Sequence, residues 1–193
     1  RIKYLSADPS VTVAGEVWYN STTGTLRGNV LVSAWSSATG PTRKNSAMSS
    51  GGTQTAAILS GATGANPPKS QEAEEYNGAS WTNLTNMPTA YGYNVGCGTT
   101  SDFSSMGGGY PTAVTTVFDW DSSSWTTGTA LPTGKIEGGC CGPRQQALFA
   151  GGASGTPGDK DTYERDGASW TVGGDMNTAK YSSAVSGTKT SAL

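Results

Sequence analysis

The sequence predicts an all-β fold, a β-propeller of four-stranded repeats, and three observations carry that reading. Gly, Ser and Thr supply 79 of the 193 residues. All three are poorer helix formers than Ala, so short strands joined by turns fit better than helices. Four tryptophans, Trp35, Trp81, Trp125 and Trp170, stand 46, 44 and 45 residues apart. Glycine recurs 17 residues after each (Gly52, Gly98, Gly142, Gly187) and 26 residues after the first three (Gly61, Gly107, Gly151). In a chain that is one-seventh Gly, the odds of that coincidence are about one in a million, so the period is real.

The elements follow in chain order. Residues 1–32 lie outside the period and read as a hairpin, an N-terminal attachment segment with a strand at Gly15-Glu16-Val17-Trp18-Tyr19-Asn20, a Thr/Gly turn, and a second strand up to Val32. Residues 33–193 hold the repeats, in units near 46–84, 91–128 and 135–173 with partial units on either side. In the third unit strands are expected at 137–142, 146–150, 162–165 and from Trp170 onward, with Asp166-Gly167 turning the last pair. Asp121-Ser122 and Asn77-Gly78 hold that turn in the other two. From the second Gly to the next Trp takes 20, 18 and 19 residues, so length variation is confined to one connection per unit. Four short strands at this period make a propeller blade. With an orphan outer strand at Trp35 and an unfinished one over 188–193, the natural protein is expected to be longer, its ring closed by the strand at Trp35.

Composition narrows the chemistry. There is no His, which excludes Ser-His-Asp and Cys-His nucleophiles and His-ligated zinc or copper. A net charge of -2 supplies no field for nucleic acid. No apolar run is longer than Ala56-Ala57-Ile58-Leu59, which is far too short for membrane insertion as a helix. Cys97, Cys140 and Cys141 read as free, buried thiols. A bridge from Cys97 to Cys141 would need Cα atoms within about 7 Å. Carboxylates fall at i, i+2 in Asp119/Asp121, Glu164/Asp166 and Glu72/Glu74. Because they recur from unit to unit they are expected as solvated edge charges, and neither catalytic nor metal-ligating residues, nor a cofactor, are expected. The variable loops at 62–73, 109–115 and 153–161 are the expected place for recognition, with Lys69, Tyr110 and Lys160 as binding candidates.

Two resemblances sharpen this. Gly151-Gly152, Tyr163 and Trp170, and likewise Gly107-Gly108, Phe118 and Trp125, resemble the kelch repeat: a Gly pair, an aromatic, then Trp after six residues. The first unit departs, with Ser60-Gly61 and its aromatic Tyr76 five before Trp81. The segment from Gly15 through Trp18-Tyr19-Asn20, Thr22, Gly24 and Leu26 to Arg27 is similar to a motif of bacteriophage tail and fibre proteins, and low-charge kelch-like repeats after it look like virion proteins of marine phages. The resemblance implies a non-enzymatic virion structural protein, a tail-fibre or surface-decoration component. Its partners would be other virion proteins, copies of itself and a host-surface glycan, held by multivalency. The alternatives are a secreted carbohydrate-active propeller enzyme working through carboxylates and a cellular kelch-type interaction module.

Overall fold

The computed structural model describes residues 2–11, 13, 15–29, 38–42, 46–64, 69–155 and 158–193. Trp35 lies outside them. The chain forms two compact units, Arg1–Ala38 and Thr39–Leu193.

The first unit is a three-stranded sheet of β1 (Lys3–Leu5), β2 (Val17–Asn20) and β3 (Thr25–Gly28). The β2–β3 hairpin is the expected one, although β3 ends at Gly28 and 30–32 lie outside the described residues. Asn20 shapes its turn, its Oδ1 accepting the N–H groups of Thr22 and Thr23, each at 3.1 Å. The parallel strand β1 has no signal in so short and irregular a segment. The segment that follows it is anchored at Asp8, on which the motif converges. Trp18 Nε1 donates to Asp8 at 2.9 Å, Asn20 Nδ2 at 3.0 Å, and Arg27 pairs with it at 2.8 Å. Those hydrogen bonds, from Asn20 first, hold the Asp8 carboxyl below its ordinary range.

The second unit is all-β and contains three four-stranded antiparallel meanders. The first sheet is β4 (Ser49–Thr53), β5 (Ala56–Ala62), β6 (Ser70–Tyr76) and β7 (Trp81–Asn83). The second is β8 (Val95–Thr99), β9 (Asp102–Met106), β10 (Val117–Trp120) and β11 (Trp125–Thr127). The third is β12 (Gly139–Cys141), β13 (Leu148–Ala150), β14 (Thr162–Asp166) and β15 (Ser169–Val172), with a 3-10 turn at Arg144–Gln146. A further hairpin pairs β16 (Gly187–Thr188) with β17 (Ser191–Ala192).

The sequence period is a period of hydrogen bonds between neighbouring sheets. The indole N–H of each outer-strand Trp reaches the carbonyl four residues beyond the preceding Trp position: Trp81 to Thr39 at 2.8 Å, Trp125 to Thr85 at 2.8 Å, Trp170 to Thr129 at 3.1 Å. The residue after each second glycine donates its N–H to the next repeat: Ala62 to Tyr91, Gly108 to Lys135, Gly152 to Lys180, at 2.8–2.9 Å. Glycine precedes it because a Cβ at Gly107, where φ is +67°, would stand 2.4 Å from the Lys135 carbonyl oxygen.

Between the sheets lie two apolar cores. Ile58, Met87, Phe103, Phe118, Trp120 and Trp125 fill one. Met106, Val117, Leu131, Phe149 and Tyr163 are in the other. The four residues of β10 are all buried, because a sheet packed on each face leaves neither side of a strand to solvent. The different aromatic spacing of the first repeat has a structural counterpart. Tyr76 faces Trp81 in the register that Trp120 holds against Trp125 and Arg165 against Trp170. Their rings, or ring and guanidinium, lie 5.2, 5.3 and 5.7 Å apart. The position of Phe118 and Tyr163 is taken by the buried Glu74, whose carboxylate accepts the N–H of Thr42 at 3.1 Å and its hydroxyl hydrogen.

Candidate functional site

Strand direction alternates through each meander, so the connection from second to third strand and the crossing to the next sheet share one end. That end carries the variable loops. It also carries a ladder that runs from repeat to repeat. Tyr93 donates its N–H to Ala47 at 3.1 Å, Glu137 to Tyr93 at 3.0 Å, and Ser182 to Glu137 at 2.7 Å. All four are non-glycine residues in the left-handed region, at φ +51°, +61°, +55° and +51° for Ala47, Tyr93, Glu137 and Ser182. Each stands 12 residues past a Trp. Left-handed backbone costs an L residue about 1–2 kcal/mol, and such strain concentrates where a surface is being shaped for use. Ala47→Gly removes that cost and deletes only a methyl group. It is expected to stabilise the protein by about 0.5–1 kcal/mol in urea denaturation, and a net loss would contradict the ladder.

Above the ladder opens a cleft of about 470 Å³, walled by Tyr110, Tyr181, Ile136, Glu137, Gly155 and Gly158. Tyr110 is 56% exposed and Tyr181 61% exposed. The Tyr110 ring rests on Tyr93, with centroids 5.5 Å apart. The Tyr181 ring lies across Gly158, where a Cβ would come within 3.0 Å of its Cδ1. Glu137 accepts the Ser182 hydroxyl hydrogen. A Cβ on Gly155 would meet nothing within 4 Å, so that glycine borders open space.

Asp159, next to Gly158, is held by a buried lysine. Lys135, 1% exposed, pairs with Asp159 at 2.5 Å and Asp161 at 2.7 Å, and its Nζ lies 5.8 Å from the Tyr163 ring centroid. Burial works against its charge, but the two aspartates outweigh that and leave the ammonium pKa raised. Asp159 also accepts the Ser154 N–H at 3.0 Å, which ties the loop's first turn to the same cation.

Of the sequence's binding candidates, only Tyr110 stands in the cleft. Lys160 is exposed, with its carbonyl accepting the Met176 N–H at 2.9 Å, and Lys69 is half-buried ahead of β6. Neither lines the cleft. Glu137 and Tyr181 escaped the sequence reading, since Ala47, Tyr93, Glu137 and Ser182 share a position but no chemistry.

The carboxylates are not one class of edge charge. Asp119 is buried, and Arg165 of the neighbouring sheet grips it from two sides at 2.9 and 2.7 Å. Ser104 donates to it, and Arg144 lies 3.3 Å away. Burial raises its pKa, but the Arg165 and Ser104 hydrogen bonds and the two arginine charges outweigh that, and the net shift is downward. Asp121 is exposed and caps its turn, accepting from Ser123 and Ser124, with its pKa lowered to about 2 chiefly by the Ser123 hydroxyl. The three cysteines are free. Burial, then Cys97 beside it, pushes the Cys140 thiol well up, and burial raises Cys141. Protonated thiols of that kind are poor nucleophiles.

No protein-family model matches this chain, and no curated protein matches it. In three dimensions it is similar to the solved structure of YjhT, with a TM-score of 0.59 and 12% sequence identity. The likeness covers 71% of this chain and 54% of that one, so the chain spans about half the length of YjhT. At that identity the likeness concerns the fold alone.

Proposed function

We propose that this chain is a non-enzymatic structural and adhesion component of a virion, a tail-fibre or surface-decoration protein. Its repeated sheets are consecutive blades of a kelch-like β-propeller that presents a binding cleft at its loop end. The observation that carries the reading is the cleft itself, with two exposed tyrosines and one carboxylate on a backbone ladder that repeats from sheet to sheet. The ladder continues to Ser182, and the β16–β17 hairpin repeats β4–β5, which supports the start of a fourth blade. A scaffold of this kind displays loops with little entropy left to lose on binding. One carboxylate is fewer than acid–base hydrolysis of a glycoside uses, and Asp119 is already committed to Arg165.

The N-terminal unit supports the virion assignment. The residues it shares with phage tail and fibre proteins, Trp18, Asn20 and Arg27, meet at Asp8 and build a small folded unit of their own. Its partners are other virion proteins or copies of itself, and the cleft faces a host-surface glycan, where many copies make a weak site effective. Antibodies raised against the chain are expected to decorate particles in the concentrated virus fraction of its source. Labelling confined to cells would overturn the assignment.

A further inference from the structure

We infer that the cleft between Tyr110 and Tyr181 binds a neutral pyranose, an inference that rests on the adhesion reading above and names its ligand class. Among the described residues of Thr39–Leu193, Tyr110 and Tyr181 are the exposed tyrosines, and both wall this one cleft. An unpacked aromatic ring offers an apolar face to the C–H face of a sugar and a hydroxyl to its rim. The volume of about 470 Å³ lies within the range of small-ligand sites. The described walls are braced before any ligand arrives: Tyr110 by Tyr93, Tyr181 across Gly158, and the backbone at Ser154 and Asp159 by the pairing of Asp159 with Lys135.

Charge selects among sugars. Among the described residues Glu137 is the one charged side chain lining the cleft, and no Lys or Arg lines it. A carboxylate accepts hydrogen bonds from ligand hydroxyls and repels uronic and sialic acids. The remaining described wall is Ile136, Ala153 and the backbone at Gly155 and Gly158, a largely apolar surface suited to the C–H face of a sugar ring. A compact cation would leave that backbone wall unused, with Glu137 already holding the Ser182 hydroxyl.

The test is saturation-transfer NMR on the full chain with the methyl glycosides of glucose, galactose, mannose and N-acetylglucosamine. N-acetylneuraminic acid and choline serve as the charged comparators. At least one neutral glycoside is expected to receive saturation, strongest on one ring face. Tyr110→Ala and Tyr181→Ala should each weaken it about three- to tenfold. Gly155→Phe should abolish it with the thermal melt unchanged, since that position borders open space. Silence from all four neutral glycosides, transfer that survives all three substitutions, or preferential binding of choline or the sialic acid would each overturn the site. Virus particles that carry the chain while the glycosides stay silent overturn the site and leave the virion assignment standing. Glycoside binding by a chain absent from particles supports the site and overturns the virion assignment.

Discussion

Asp119→Ala is expected to lower stability by about 3–5 kcal/mol, because it strands Arg165 as a buried, unpaired charge. Arg165 is 3% exposed and Asp119 5% exposed, and the pair joins β10 of one sheet to β14 of the next. For a protein of this size the loss corresponds to a fall in Tm of roughly 6–20 °C. Removing both charges should behave differently. Asp119→Leu combined with Arg165→Met leaves no orphaned ion and is expected to recover most of the loss, while Arg144 keeps Asp102 as its partner. Urea denaturation of Asp119→Leu, Arg165→Met and the double variant forms the cycle, and an Asp119→Ala protein within about 1 kcal/mol of wild type would refute the pair's role.

The same pair sets an acid limit. The folded pKa of Asp119 lies below its ordinary value. Its stabilising contribution is therefore complete above the unfolded pKa of about 3.9 and is lost as pH falls through the folded value. Asp159 and Asp161, both lowered, act in the same direction. Stability should decline below about pH 4, and less steeply in the double variant than in the wild type. Equal slopes would show that the pKa of Asp119 is the same in the folded and unfolded protein.

What the sequence made legible follows from the kind of constraint each residue obeys. The Trp and Gly positions are legible because a steric demand admits few residue types. An indole N–H must reach one carbonyl, as Trp125 reaches Thr85, and at Gly98 or Gly107 a Cβ would run into a backbone carbonyl. Asp119 was illegible because alternation along a strand assigns its side chain to an edge or face without saying whether another sheet covers that face. Glu74 hid for a related reason. It occupies the place of an aromatic, and it is buried with Thr42 hydrogen-bonded to its carboxylate. The cleft was legible through Tyr110 alone. Its other wall, Glu137 and Tyr181, comes from crossings between repeats, where the ladder fixes the backbone and leaves side-chain identity free.

Gly98→Ala is expected to cost about 3 kcal/mol or more. The residue turns β8 into β9 at φ +109°, and a Cβ there would stand 2.2 Å from the Asp102 carbonyl oxygen. That oxygen is backbone of the hairpin itself, so relief requires opening the turn rather than rotating a side chain. Gly52 and Gly187 present the same geometry, 2.1 and 2.2 Å from the carbonyls of Ala56 and Ser191. Gly142 has more room, at φ +90° and 2.7 Å from Gln146, because the 3-10 turn at Arg144–Gln146 lengthens its hairpin. Gly142→Ala should therefore cost less than Gly98→Ala, and Gly155→Ala, facing open space, should cost almost nothing. Thermal melts of the three variants should rank in that order. If Gly155→Ala proved as damaging as Gly98→Ala, glycine would matter here as bulk composition, and the 17-residue offset from Trp would lose its steric cause. Ala47→Gly carries the same logic in reverse: in this chain the backbone angle at a position, and not the abundance of glycine, decides what a methyl group costs.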